Sequence, residues 1–352
     1  MRNIFKIGCG LLLLAVLQCA FSSRVSAQVG NNCPSWVSCG YYSLWNMVCE
    51  PQLPLGAFNC RGLGLTWQVI CEMESYRCPP AAGAQETHCD CSGSAGAPIS
   101  LANGNTYIKE ADVRLPGLSG GLTLVRTWNS IWPSTQTAYQ TGIFGPNWRS
   151  NFEERVFLGS DNYMKYARGD GSFWSFGWGT PTGAGWSVAA PANVIATLVQ
   201  GASYWTITFQ NGEQRHFDNH SGNLIAIIDR NGNTTQLSYD AGGRLATVMD
   251  AASRHLYFAY GTGSFNLLVT GVTSDVGISL SYAYDTQGRL TTVTNPDLST
   301  LSFQYDSHSL ISSVTDSNGK VLEAHTYDSS MRGLTSSRAN GVDAVTISYG
   351  TP

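Results

Sequence analysis

The residues best suited to chemistry crowd the start of the chain. Cysteines stand at Cys33, Cys39, Cys49, Cys60, Cys71, Cys78, Cys89 and Cys91, with Cys9 and Cys19 before them, and residues 92–352 contain none. An even, clustered set of thiols serves either a metal site or a disulfide framework. His88-Cys89-Asp90-Cys91 is the piece nearest a metal site. Zinc sites pair cysteines at short fixed spacings, and only Cys89 and Cys91 come near one. Four disulfides stapling a small domain fit the remaining spacing, with the pairing left open.

Four other arrangements have the outline of a site. Gly117-Leu118-Ser119-Gly120-Gly121 has the form of a hydrolase nucleophile elbow, which needs a strand before it and a helix after it. Here a Leu-Pro-Gly loop precedes it and a strand pattern follows. Asp229-Arg230-Asn231-Gly232-Asn233 has the start of a calcium loop, with Asp240 in the twelfth place, but its glycine comes two residues early and the closing residue is not Glu. His216 and His220 flank a turn pattern and not a helix, so they share no metal-binding face. Arg168-Gly169-Asp170 is an adhesion tripeptide whose Asp is already explained by a hairpin turn. These residues predict no catalytic group, no metal, no cofactor and no enzyme.

The compartment decides between the two fates of the cysteines. Arg2 and Lys6 precede an apolar run from Gly10 to Phe21 that is too short to span a membrane, and Val25-Ser26-Ala27 supplies small residues for cleavage before Gln28. Residues 1–27 therefore read as a signal peptide, with a lipoprotein alternative at Leu17-Gln18-Cys19 disfavoured by the Gln. No later run is long and apolar enough for a membrane helix. An oxidising destination favours disulfides, so residues 28–95 are expected to form a disulfide-stapled domain. Its Trp36, Tyr41, Tyr42, Trp45, Trp67 and Tyr76 either fill a small core or present a surface for a glycan or protein ligand. Without the signal the chain keeps 17 Lys+Arg against 24 Asp+Glu, near −7, which argues against nucleic acid as a partner.

The elements that must carry all this are strands. Only 12% of the chain is charged, and it holds 38 glycines. From Phe217 one pattern recurs, its aromatics at Phe217, Tyr239, Tyr260, Tyr284, Tyr305, Tyr327 and Tyr349, spaced by 22, 21, 24, 21, 22 and 22 residues. The clearest copies are Tyr239-Asp240-Ala-Gly-Gly243-Arg244-Leu245 and Tyr284-Asp285-Thr-Gln-Gly288-Arg289-Leu290; looser ones begin at Tyr305-Asp306 and Tyr327-Asp328. Asp with a glycine three residues on makes a tight turn, and each unit has room for two short strands. Leu237/Tyr239, Tyr282/Tyr284 and Phe303/Tyr305 are same-face pairs expected to pack between units, and Arg244 and Arg289 are expected to cap or cross-link strands. Such a period means a wound or stacked sheet. Upstream, Leu122, Leu124, Arg126 and Trp128 share one strand face, while Asp170-Gly171 and Asn211-Gly212 mark hairpins.

Residues 96–352 resemble bacterial Rhs proteins. Pro98/Gly104, Asp112/Leu115-Pro116, Leu124/Arg126/Trp128/Ser130 and Gly145/Trp148 match the domain that opens the Rhs repeat region, with Asn147 where that family usually has Gly. The units from Phe217 onward look like its tyrosine-aspartate (YD) repeats. The resemblance implies a YD-repeat sheet, so the expected fold is all-β: short twisted strands and hairpins wound as that sheet, preceded by the small disulfide-rich domain that the cysteines predict. The expected boundaries are 1–27 signal, 28–95 cysteine-rich domain, 96–216 opening domain with hairpins, and 217–352 repeats. It also implies a hollow β shell around a C-terminal toxin. About six or seven units are too few to close such a shell, and Tyr349-Gly350-Thr351-Pro352 is still in register. The first expectation is therefore an exported bacterial shell protein whose partner is toxin cargo or further repeats. The alternative is a free-standing secreted binding module with the cysteine-rich head as its recognition element. Periplasm, cell surface and medium are all open destinations, and Val345–Tyr349 is expected to be a bare edge strand.

Overall fold

The computed structural model describes residues 47–52, 57–62, 94–178, 185–191, 193–339 and 341–350. The chain divides into two compact units, Met1–Ala82 and Gly83–Pro352. The signal segment and Cys33, Cys39, Cys71, Cys78, Cys89 and Cys91 lie outside the described residues. In the first unit Met47–Gln52 and Ala57–Gly62 pair antiparallel, and the register sets Cys49 opposite Cys60.

In the second unit alternating apolar residues build two small sheets. Tyr107–Leu115, Leu122–Asn129 and Trp148–Ser150 form one, Arg155–Leu158, Tyr163–Ala167 and Phe173–Trp178 the other. Leu122, Leu124, Arg126 and Trp128 are all fully buried, so the apolar stripe carries a guanidinium into the core. Asn147 explains its own departure from glycine. It lies at φ 67, a left-handed conformation that asparagine tolerates better than most residues. Its Oδ1 accepts a hydrogen bond from Gln140 Nε2 at 2.7 Å. Ser119 also has positive φ, inside a short 3-10 turn with no helix after it.

Sixteen strands then follow in one antiparallel sheet in which each pairs only with its chain neighbours, from Trp186–Ser187 to Val342–Thr346. The meander starts upstream of Phe217, because Ala196–Gln200 and Tyr204–Phe209 already belong to it. Its final strand is Val342–Thr346, earlier than the expected 345–349. A register shift between Ser336 and Arg338, next to the tight turn at Gly341, starts the pairing sooner.

The turns follow from their Asp residues. In the Asp240 turn, the Asp240 N–H donates to Arg244 O and the Gly243 N–H donates back to Asp240 O. That closes a hairpin with one extra residue in the left-handed region, and Gly243 takes it at φ 76. The Asp328 turn has the same bonds, but Met331 must take that place at φ 64. Along the strands inward and outward residues alternate. In Ser279–Tyr284, Leu280 and Tyr282 are buried and Ser279, Ser281 and Ala283 exposed.

Candidate functional site: the seam between the opening domain and the repeat sheet

The repeat motif is a bonding lattice. Each Tyr hydroxyl donates to a carbonyl one unit back: Tyr239 to Leu224, Tyr260 to Leu245, Tyr284 to Val269, Tyr305 to Leu290 and Tyr327 to Ile311, at 2.6–2.9 Å. Each Asp accepts backbone N–H groups within its turn, as Asp306 does from His308 and Leu310. Arg244, Arg289 and Arg332 donate Nε to Asp240, Asp285 and Asp328 at 2.6–2.7 Å. Their guanidinium groups also lie over the next unit's Tyr260, Tyr305 and Tyr349 at 4.6, 4.7 and 4.0 Å. The hydrogen bond from Arg244, with its backbone N–H, holds the Asp240 carboxyl below the usual range. Burial pushes Asp285 and Asp328 the other way, and the bonds from Arg289 and Arg332 outweigh it.

The inward face of this sheet is covered by the opening domain. The Leu224 N–H donates to Glu154 O at 3.1 Å, the Val269 N–H to Ile143 O at 2.8 Å and the Gly333 N–H to Gly104 O at 2.8 Å. Arg254 reaches Pro116 O at 3.0 Å, and Ser336 Oγ donates to Ala97 O at 2.9 Å. Aromatic contacts fill the space between: Phe144 on Tyr282, Trp148 on Phe303 and Trp128 on Tyr327, with centroids 4.8, 5.3 and 6.4 Å apart. Near the start of the sheet, Glu154 accepts from Tyr166 Oη at 2.7 Å and Arg215 Nε at 3.1 Å.

Two polar clusters sit in this seam, and neither was singled out from the sequence as a site. In the first, Asp112 accepts from Arg126 Nε, from Arg126 Nη2 at 2.8 Å and from Tyr282 Oη at 2.8 Å. Arg126 is wholly buried, with its charged carbon 4.7 Å from the centre of the Trp148 ring. Burial would lower its pKa, but Asp112 outweighs that and keeps the guanidinium firmly protonated. In the second, Glu323 Oε2 of the sheet lies 3.4 Å from His325 Nε2, and the Glu323 charge acts on Glu110 of the opening domain. Burial pushes the Glu110 carboxyl up to about 7; Arg126 opposes this, and Glu323 and Asp112 add to it.

The other sequence candidates sit in ordinary surroundings. Asp229 accepts from the N–H groups of Asn231 and Asn233 in a hairpin turn. His216 stacks on Tyr204 at 4.2 Å, while His220 lies in the next turn, its N–H bonded to Asp218 Oδ1. Asp170 accepts the N–H and hydroxyl of Ser172 within its turn. Among the described residues no group of three or more His, Cys, Asp or Glu could hold a metal ion. None of their helices is long and apolar enough to cross a membrane. The hydrogen bonds and ring contacts of the seam hold the opening domain against the repeat sheet.

A meandering repeat sheet seated on a small all-β domain is the class of architecture these contacts define. Residues 96–176 match the family model described as domain of unknown function DUF6531, and residues 219–255, 266–300 and 284–321 match the RHS repeat. The chain is an Rhs/YD-repeat protein. It is 25% identical over 209 residues to the tRNA nuclease WapA of Bacillus subtilis strain 168, covering 54% of this chain and 8% of that protein. It is also 25% identical over 147 residues to the tRNA3(Ser)-specific nuclease WapA of Bacillus spizizenii, covering 42% of this chain and 6% of that protein. Among solved structures, the Photorhabdus luminescens Tc holotoxin pore with a TccC3 substitution aligns over 54% of this chain and 11% of its own, at 13% identity and a TM-score of 0.27. The TcdB2-TccC3-Cdc42 crystal structure aligns over 70% of this chain and 15% of its own, at 11% identity and a TM-score of 0.27.

Proposed function

We propose that the protein is an exported, non-catalytic part of a β shell that encloses or presents a toxin cargo. The observation that carries the reading is the seam. From Arg215 to Ser336 the inward face of the repeat sheet is taken up by the opening domain, bonded to it at both ends. These repeats would then form the sealed end of a shell, and further repeats would face the cargo. The RHS repeat matches support this reading, and the name of the WapA relatives makes a tRNA-cleaving domain one class of cargo. The charged and apolar start of the chain supports export, and the even cysteine set supports disulfides in the head.

The test is the intact mass of the protein from its native host, reduced and non-reduced. A species several times the mass encoded by these residues is the expected result. A species running from Gln28 to Pro352 that gains eight hydrogens on reduction would instead establish a free-standing secreted binding module.

A further inference from the structure

Four strands of the meander, Leu245–Met249, Val269–Ser274, Leu290–Thr294 and Ile311–Asp316, each bury an aliphatic side chain at their first and fourth positions. The corresponding strand of the last unit is Gly333–Arg338, and there the two positions are Gly333 and Ser336. Both are buried, and both meet the stretch from Gly96 to Thr106. The Gly333 N–H donates to Gly104 O at 2.8 Å, and a Cβ at Gly333 would strike Thr106 Oγ1 and stand 2.8 Å from Ile99 Cδ1. Ser336 Oγ accepts from the Ala97 N–H at 2.8 Å and donates to Ala97 O at 2.9 Å. Positions that elsewhere anchor the sheet by aliphatic burial are here a glycine that makes room for this stretch and a serine that bonds to it. We infer that residues 96–106 are a releasable clasp: they fasten the last three strands, Val321–Tyr327, Gly333–Arg338 and Val342–Thr346, which open as a unit of their own when the clasp lifts.

The last strands have little else to hold them. No apolar side chain in them is fully buried, and their buried residues are His325, Gly333 and Ser336. Tyr327 is half-buried and meets Trp128 edge-on, with centroids 6.4 Å apart. A neutral hydrogen bond adds less stability than a buried aliphatic side chain. Local opening follows the number of buried apolar contacts, so these strands open at lower cost than the four that carry aliphatic anchors. Lifting the clasp would uncover the inward face of the last unit. It would also free the Val342–Thr346 strand from Gly96, whose Cβ position lies 2.6 Å from Val345 Cγ2. Ala97 and Ser336 are 239 positions apart, so a displacement of the chain near Gly96 reaches the far end of the sheet directly. The clasp rests on contacts within the chain and stands whether or not a shell encloses cargo.

Hydrogen exchange on the full chain tests it, read on the last three strands with Leu245–Met249 and Leu290–Thr294 as references in the same molecule. In the unmodified protein the three strands are expected to exchange together and faster than the references. Ser336→Ala deletes both bonds to Ala97 and should speed exchange of the three strands roughly ten- to a hundredfold, with the references unchanged. Gly104→Ala acts from the other side of the clasp. Its φ is 77 and the added Cβ would lie 2.6 Å from Tyr349 Oη, so the strain falls on the clasp and the same three strands should speed up. Last strands as slow as the references in the unmodified protein overturn the clasp. So does a Ser336→Ala variant that leaves them unchanged or speeds every strand alike, and so does a Gly104→Ala variant that leaves them unchanged. Should one variant fail to fold, the other and the unmodified profile decide.

Discussion

Replacing Asp112 by alanine is the sharpest test of how the seam is held. The substitution leaves Arg126 protonated, wholly buried and stripped of the carboxylate that engages two of its nitrogens. Its third nitrogen, Nη1, already lacks a partner, and ring contacts with Trp148, Phe144 and Tyr282 cannot replace an anion. Breaking a buried pair on one side costs about 3–5 kcal/mol, because an uncompensated charge remains. Tyr282→Phe removes a single bond to a charged acceptor and should cost about 1.5–3 kcal/mol. The joint replacement Asp112→Leu with Arg126→Met removes both charges and should cost about 0–2 kcal/mol, far less than Asp112→Ala alone. Urea unfolding followed by tryptophan emission measures all three, since Trp128 and Trp148 pack across the seam. A loss below about 1 kcal/mol for Asp112→Ala would refute the reasoning, being what an exposed pair gives. A joint variant as damaged as the single one would refute it too.

Other expectations concern the repeats and the head. Tyr305→Phe deletes the hydroxyl that donates to Leu290 O at 2.8 Å; the loss should be about 1 kcal/mol by urea midpoint, and no change would mean that water replaces the bond. Met331→Gly relieves a left-handed residue at φ 64 and should stabilise by about 1 kcal/mol, whereas Gly243→Ala should destabilise by about 1–2 kcal/mol. Equal signs for the two substitutions would contradict the turn assignment. The turn carboxylates Asp240, Asp285 and Asp328 have pKa values below the ordinary 3.8, so their stabilisation is present above that value and lost as pH falls through the folded ones. Thermal midpoints should therefore drop steeply below about pH 4, and a midpoint unchanged from pH 5 to pH 2.5 would count against the lattice. Non-reducing peptide mapping should recover Cys49 joined to Cys60, because opposed antiparallel positions bring Cα atoms to about 4.5–5.5 Å, within disulfide reach. Either cysteine linked elsewhere would refute that pairing.

What could be read from the sequence was local. The Tyr239 and Tyr284 units show their turns because Asp, Gly and Arg lie within five positions of each other, and the bonds they make stay inside that window. The alternation of Leu122, Leu124, Arg126 and Trp128 gave away a buried face, and Arg126 in that stripe was a visible sign that a buried counter-ion must exist. Its partners were not visible. Tyr282 lies 170 positions from Asp112, and Ser336 lies 239 from Ala97. No period or spacing connects such residues, because the opening domain meets the sheet through shape and burial and not through the repeat. The meander's start at Trp186 was hidden for a related reason: its first strands carry no YD turn.

Near-identical units create a problem that the seam solves. A repeat sheet shifted by one unit would keep its Tyr–carbonyl and Arg–Asp lattice almost intact, so the lattice alone cannot fix which unit faces which part of the opening domain. The residue two before each motif Tyr differs from unit to unit: Leu237, Phe258, Tyr282, Phe303 and His325. All five are buried on the inward face. Only Tyr282 has a hydroxyl for Asp112, and only His325 sets a ring nitrogen near Glu323. A slip of one unit would put Phe258 or Phe303 against Asp112, neither able to donate, and one acceptor site on a buried carboxylate would lose its partner. Phe303 would also leave Trp148, whose ring it meets edge-on. Leaving a buried charged group short of a hydrogen bond costs about 1–3 kcal/mol or more, whereas the repeat lattice offers nothing to distinguish the two registers. The buried polar residues therefore contribute less as net stability than as the feature that gives a repetitive sheet one seating.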